Sequence, residues 1–276
     1  AILVQEPIWV EATAMRTVGL LTGVSYISGL DYYRGINEGV ARLLPRGRRM
    51  SPNPPMVIVS LDCDEYVDYL ERRDDAGVQE YLLGGVRKLH AAGADFLVIA
   101  SNTAHICCGS VREEMPSLPL LHIADTTAMA IRAAGLSHVG LLGTEPTMRD
   151  GSWLKSRLSA HGISTLVPSS DDDRRRCYDI ICQELSFNVL RDESRAFFVG
   201  LCRSMLAEGA QGVVLGCTEI ELLVKAGDVP EVPLFCSAEL HIAAAARVAA
   251  CHGNVEDYLP GRNDGPQGPQ AGPRPP

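Results

Sequence analysis

Phe96-Leu97-Val98-Ile99-Ala100, followed by Ser101-Asn102-Thr103, is the stretch that decides how this chain is read. A continuous apolar run that stops at small polar residues is the pattern of a strand buried on both faces that ends in a turn. The second half repeats it: Gly212-Val213-Val214-Leu215-Gly216 runs into Cys217-Thr218-Glu219. A helix-like stretch follows each turn. In α/β domains ligands bind outside the carboxyl ends of parallel strands. Two such ends, one per half, predict one pocket flanked by Ser101 and Cys217.

Other segments recur at similar separations. Val18-Gly19-Leu20-Leu21 returns as Val139-Gly140-Leu141-Leu142, and Pro119-Leu120-Leu121 as Pro233-Leu234-Phe235. A period this long marks a duplicated domain rather than a stacked solenoid repeat. Strands are predicted at 17–22, 56–61, 95–100, 119–123, 138–143, 164–167, 212–216 and 233–236. Helices are predicted at 29–43, 77–92, 105–114, 124–134, 146–160, 174–187, 193–208, 219–225 and 238–250. Alternation of this kind builds parallel sheets. Gly93, Gly135, Gly162 and Gly209 each stand between a helix and the next strand, where a C-cap glycine belongs. The fold class is therefore α/β, as two pseudo-symmetric Rossmann-like lobes with the active site in the cleft between them. Residues 1–14 read as an N-terminal extension, 15–117 plus 235–252 as lobe 1, and 118–234 as lobe 2. Residues 253–276 read as a Gly/Pro-rich disordered tail, since 10 of the 17 residues from Pro260 to Pro276 are Gly or Pro. The Pro- and Arg-rich segment 45–55 reads as a basic surface loop.

Composition excludes several classes. The chain has 276 residues and a net charge of −9, which argues against nucleic acid as the main partner. No apolar run approaches the roughly 20 residues of a membrane span. Ala1-Ile2-Leu3-Val4 lacks the basic flank of a secretory signal. Nine cysteines without a Cys-x-x-Cys pair point to reduced thiols in a cytoplasmic protein, with no metal site. The loop after the first strand lacks a full Gly-x-Gly-x-x-Gly pattern, so no dinucleotide site is expected.

Five segments, in order, resemble the aspartate/glutamate racemase family, whose members work without pyridoxal phosphate. They are Val18 to Ser25, Asp31-Tyr32-Tyr33-Arg34-Gly35-Ile36-Asn37-Glu38-Gly39, Ser101-Asn102-Thr103-Ala104-His105, Pro119-Leu120-Leu121-His122-Ile123-Ala124-Asp125, and Gly216-Cys217-Thr218-Glu219-Ile220. The resemblance runs from about Met15 to Cys251. It implies two pseudo-symmetric lobes, no cofactor, a homodimer and proton exchange at the α-carbon of a small acidic amino acid. Cys217 matches the second base. Ser101 stands where many relatives carry cysteine. Other relatives with a hydroxyl there remain racemases and prefer L-substrates, so equal activity in both directions is not expected.

An α-proton is a very weak acid, and without a cofactor the protein must stabilise an enolate-like carboxylate by hydrogen bonds. The backbone N–H groups of Asn102, Thr103, Thr218 and Glu219 lie at the two strand-to-helix turns, where such donors point at anions. The side chains of Asn102, Thr103 and Thr218 add further donors. Cys217 begins a turn into a helix, which lowers a thiol pKa, so partial activation is expected. A serine hydroxyl is a poor base unless another group takes its proton. His105, one helical turn after Ser101, is a possible partner, although a structural histidine is the commoner case. Ser25 could bind the α-carboxylate or α-amino group. In relatives a lysine holds the distal carboxylate, and matching puts that position at Arg175 or Arg176, with Arg72 and Arg73 as weaker candidates. Cys107 and Cys108 are expected to pack in the core.

The leading expectation is an amino-acid racemase acting on L-aspartate or L-glutamate. A lone Cys217 opposite a non-thiol also fits a single-cysteine relative, such as a decarboxylase of substituted malonates or a maleate isomerase. A third class is a non-catalytic binder that kept the pocket. Asn102, His105 and the run Asp171-Asp172-Asp173-Arg174-Arg175-Arg176, which reads as opening a helix with its acids in the first turn, favour the amino acid.

Overall fold

A computed structural model describes residues 15–44 and 51–261. Strands and helices alternate along it: β1 (Val18–Thr22), α1 (Tyr26–Leu43), β2 (Met56–Ser60), α2 (Cys63–Glu71), α3 (Asp75–Ala91), β3 (Phe96–Ile99), α4 (Cys108–Glu114), β4 (Leu120–Leu121), α5 (Ile123–Ala133), β5 (His138–Leu142), α6 (Glu145–Met148), α7 (Trp153–Ala160), β6 (Ser164–Leu166), α8 (Asp171–Gln183), α9 (Asp192–Ala207), β7 (Val213–Leu215), α10 (Ile220–Leu223), β8 (Leu234–Cys236) and α11 (Ser237–Ala249). All eight predicted strands are present within a residue or two of their expected ends.

The strands form two parallel sheets with the same internal order, β2-β1-β3-β4 and β6-β5-β7-β8. The protein is a two-lobed α/β fold. The two Val-Gly-Leu-Leu segments occupy equivalent interior strands, β1 and β5. Val18, Leu20, Val139 and Leu141 are fully buried, and burying such side chains supplies roughly 1.5–3 kcal/mol each.

The lobes are tied by an exchange of helices. Helix α5 leaves β4 of the first sheet and packs Ala124, Ala128 and Ile131 against Val139, Leu141, Val214 and Phe235 of the second. Helix α11 leaves β8 of the second sheet and packs Ala245, Val248 and Ala249 against Val18, Leu20, Phe96 and Val98 of the first. The expected lobe boundaries fell at 118 and 235. Hydrogen bonding places Leu120–Leu121 in the first sheet and Leu234–Cys236 in the second, so the chain changes lobe at α5 and α11 themselves. Helix α1 lies close along α11. A Cβ at Gly35 would sit 2.6 Å from Ile242 Cγ2, and one at Gly39 would sit 2.6 Å from Ala246 Cβ. That contact explains the spacing of the two glycines in Arg34-Gly35-Ile36-Asn37-Glu38-Gly39.

Two helical stretches differ from expectation. The segment before 77–92 contains the extra helix α2, started by the Asp62 carboxylate accepting from the Asp64 and Glu65 N–H groups. Its nine acid-rich residues are too few for a clear apolar period. The expected helix 146–160 is broken at Gly151, which has φ +71. Gly93, Gly135, Gly162 and Gly209 take φ of +85, +74, +77 and +104, the left-handed geometry of helix ends. Residues 253–261, expected to belong to the disordered tail, are instead packed, with Val255 and Tyr258 buried against the first lobe. The proposed extension 1–14, residues 45–50 of the basic loop and residues 262–276 lie outside the described residues.

Helix α5 also carries a buried charge. Asp125 accepts from Arg157 Nε at 2.6 Å and from Arg157 Nη2 at 2.8 Å, and His161 Nε2 lies 2.8 Å from the same carboxylate. Removing one member of a buried pair leaves the others uncompensated. Asp125→Ala is therefore expected to cost about 3 kcal/mol in guanidinium unfolding, with Asp125→Asn retaining part of the loss; an unchanged midpoint would show that α7 does not depend on this pair.

Candidate active site

Each of the two polar turns is built by a strand that stops where its backbone leaves the sheet. On the first turn, Ser101 Oγ accepts from the Ala104 N–H at 3.3 Å. The Ser101 carbonyl accepts from His105 Nδ1 at 2.7 Å, while His105 Nε2 accepts from the Ile123 N–H at 3.2 Å. Both ring nitrogens of His105 are thus used on backbone, and neither touches the Ser101 hydroxyl. Burial pushes the His105 imidazole down to about 3, aided by its neighbour His241. This neutral ring clamps β3 to the start of α5.

On the second turn, Cys217 Sγ donates to Glu219 Oε2 at 3.0 Å, and Thr218 Oγ1 donates to the same oxygen at 2.7 Å. Cys217 is 7% exposed. Burial first, and the Glu219 charge second, hold its thiol well above the ordinary range. The expected lowering by a helix start is overridden: the backbone bonds to Glu219 and Ile220 do favour the thiolate, but α10 has four residues and a carboxylate stands against the sulfur. The Glu219 side chain therefore faces the thiol, while Glu219 was expected at the site for its backbone N–H.

The two turns are joined by a short polar chain. Asn102 Nδ2 donates to Ser237 Oγ at 2.9 Å, and Ser237 Oγ donates to the Leu215 carbonyl at 2.7 Å, two residues before Cys217. Asn102 Oδ1 is buried with no hydrogen-bond partner among the described residues. Glu221 Oε1 accepts from the Ala238 N–H at 2.7 Å and lies 3.3 Å from Ser237 Oγ. Burial raises the Glu221 carboxyl to about 8. A second link crosses the lobes: Thr103 Oγ1 lies 3.0 Å from Thr144 Oγ1 and 3.4 Å from Thr147 Oγ1.

Other expected site residues lie elsewhere. Ser25 caps α1, its Oγ accepting from the Ser28 N–H at 3.5 Å. The Arg176 guanidinium sits 4.3 Å over the Phe197 ring on the face of α8 turned to α9. Arg175 is exposed and shares a helix face with Tyr178 and Cys182, three and seven residues on. Arg72 pairs with Asp68. Cys107 and Cys108 are buried in the first-lobe core.

Ser237, Glu221, Thr144 and Thr147 were missed from sequence. Thr144 had a signal: Leu141-Leu142-Gly143-Thr144 mirrors Leu20-Leu21-Thr22-Gly23. Ser237 and Glu221 carried none, because their roles depend on contacts across the chain.

A groove of about 650 Å³ between α1 and α11 ends at Thr218 and Glu221, and neither Ser101 nor Cys217 lines it. Among the described residues one group could offer metal ligands, Glu221, Cys236 and Glu239. Its buried carboxylate is already engaged with the first turn of α11. No helix among the described residues is long and apolar enough to cross a membrane.

A family model described as Asp/Glu/Hydantoin racemase matches residues 21–245. The chain is 31% identical over 102 residues to the broad specificity amino-acid racemase RacX of Bacillus subtilis, a match covering 37% of this chain and 43% of that protein. It is 26% identical over 207 residues to a glutamate racemase of Pseudomonas putida, covering 71% of this chain and 72% of the relative. Among solved structures, one from Yersinia pestis assigned as an Asp/Glu racemase superposes with a TM-score of 0.75 at 36% identity, covering 85% of this chain and 99% of that one.

The thiol environment gives a direct test. Iodoacetamide at pH 8 is expected to modify the exposed Cys251 well before Cys217. Glu219→Gln removes the facing charge, lowers the Cys217 pKa and should speed alkylation of Cys217 about tenfold per pKa unit recovered. Peptide mapping by mass spectrometry reads both rates, and an unchanged Cys217 rate in Glu219→Gln would show that the carboxylate does not set the thiol's proton affinity.

Proposed function

We propose that this chain, which belongs to the Asp/Glu/hydantoin racemase family, racemises an acidic amino acid, L-aspartate or L-glutamate, by cofactor-independent proton exchange at the α-carbon. The observation that carries the reading is the Cys217 thiol at a strand end, 3.0 Å from the Glu219 carboxylate, on the turn paired with Ser101. Glu219 takes the thiol proton, and the resulting thiolate removes the α-proton. The electron pair left on the α-carbon moves into the substrate carboxylate. Backbone N–H groups of Asn102, Thr103, Thr218 and Glu219 stabilise that charge. A proton then reaches the opposite face from Ser101 or from a water that Ser101 holds. Glu219 then releases its proton to solvent, Ser101 or its water takes one back from solvent, and the first state is restored with the substrate proton left on Cys217.

The two sides are chemically unequal. The Cys217 sulfur has a carboxylate to accept its proton. The Ser101 hydroxyl has none, since His105 is neutral and bonded to the Ser101 carbonyl. With Cys217 on the L side, as the family resemblance implies, a thiolate removing the proton from the L-enantiomer is the competent direction, and a hydroxyl removing it from the D-enantiomer is the weak one. Of the two arginines considered for the distal carboxylate, Arg175 is the better placed, because Arg176 is spent on Phe197. An exposed apolar row on α1, Tyr26, Leu30 and Tyr33, supports a homodimer. Cysteines without disulfides among the described residues support a reducing, cytoplasmic setting.

Incubation with single enantiomers in deuterated water tests the reaction. Wild type is expected to give α-deuteration and the opposite enantiomer, and Cys217→Ala should lower both by about 10³-fold. Near-normal deuteration in Cys217→Ala would remove the assignment, as would consumption of substituted malonates in place of amino acids.

The inequality has its own consequence. At saturation, L-substrate should exchange its α-proton faster than D-substrate, with the final mixture still equal in both. Ser101→Cys should narrow the gap by supplying a second thiol. Ser101→Ala should impair conversion more than L-side exchange. Equal handling of both enantiomers, together with a silent Ser101→Ala, would make Ser101 a bystander.

A further inference from the structure

Ser237 has three polar neighbours and one proton. It lies 2.7 Å from the Leu215 carbonyl, 3.3 Å from Glu221 Oε1 and 2.9 Å from the Asn102 amide. The carbonyl is an acceptor only, and Glu221 Oε1 already receives the Ala238 N–H at 2.7 Å. At 2.7 Å the Ser237 proton is therefore committed to the Leu215 carbonyl. The atom that Asn102 presents to Ser237 must then be a donor. The amide nitrogen faces Ser237 by necessity, and Oδ1 is forced to the other side. That oxygen is buried and has no partner among the described residues. Asn102 directly follows Ser101, and Leu215 directly precedes the Gly216-Cys217 turn, so this acceptor belongs to the joint between the two sides of the site.

We infer that Ser237 and Glu221 are positioning residues that fix the Asn102 amide with its oxygen outward, so that the site requires a hydrogen-bond donor, an α-ammonium, from its ligand. The inference rests on the racemase reading and narrows its substrate class. A buried carbonyl oxygen is matched by an N–H donor, and most strongly by a charged one. A carboxylate in the same place, as in a substituted malonate, would set lone pairs against lone pairs. Glu221 acts one step further back. Its oxygens hold the Ala238 and Glu239 N–H groups, and so fix the first turn of α11 from which Ser237 reaches out.

The test measures binding rather than turnover. Titration calorimetry compares L-aspartate with succinate and L-glutamate with glutarate, pairs that differ only by the α-ammonium. Wild type is expected to prefer the amino acid of its pair by at least about tenfold. Ser237→Ala frees the amide to turn, and the preference should fall toward unity. Ser237→Thr, which keeps the hydroxyl, should restore it. Ser237→Cys, close in shape but a weak partner for an N–H, gives a second reading if Ser237→Ala does not fold, with the preference falling there as well. Loss of thermal stability with the preference intact in these variants would make Ser237 a helix-start residue only and overturn the inference, while racemisation could still proceed. A preference that collapses in Ser237→Ala in a protein that never deuterates the α-carbon would uphold the inference and sink racemisation. A wild type without any preference for the amino acid overturns the inference directly.

Discussion

The two lobes hold each other by trading a helix, and the contacts that join the two turns of the candidate site depend on that trade. Apolar surface on a parallel sheet must be covered on both faces. Here one covering helix of each sheet arrives from the strand that ends the other, α5 from β4 and α11 from β8. The strand ends of both lobes are thereby fixed against one another. Ser237 shows the consequence most directly: it starts α11 at the edge of the second sheet, and its hydroxyl joins a side chain on the first sheet's turn to a carbonyl on the second's.

Electrostatics then makes the two sides of the joint different. Cys217 is deep, and its nearest charge is a carboxylate, so its resting form is a thiol whose proton has an acceptor waiting. Ser101 is held by backbone partners alone. Its neighbour His105 is locked neutral between the Ser101 carbonyl and the Ile123 N–H, deep in a ring cluster with His122, His241 and Trp153. In sequence, a histidine one turn from a hydroxyl reads first as structural, with a base partner as the alternative. In three dimensions its two nitrogens are both used to hold strands in place.

The fold was almost wholly legible in the residues. Buried parallel strands need continuous apolar runs, and helix ends need glycine at positive φ, and both constraints act on neighbours in the chain. The short helix α2 and the break at Gly151 escaped because nine residues and one glycine carry too little periodic signal. The basic run after Ser170 was legible as a helix start, with Ser170 Oγ accepting from the Asp173 N–H. It could not say which arginine faces where. That depended on Phe197 of another helix, which takes Arg176.

The sequence by itself determined that the protein has two like α/β lobes, each ending a central strand in a polar turn, with a thiol on one turn and a hydroxyl on the other. These follow from local patterns that need no partner. Only the tertiary structure decided the state and surroundings of those groups. It set a carboxylate against the Cys217 sulfur, turned His105 away from the Ser101 hydroxyl and brought Ser237, with Glu221 behind it, to Asn102. Proton affinity and amide orientation depend on burial and on atoms far along the chain, and such distances are fixed only when the two lobes close on their exchanged helices.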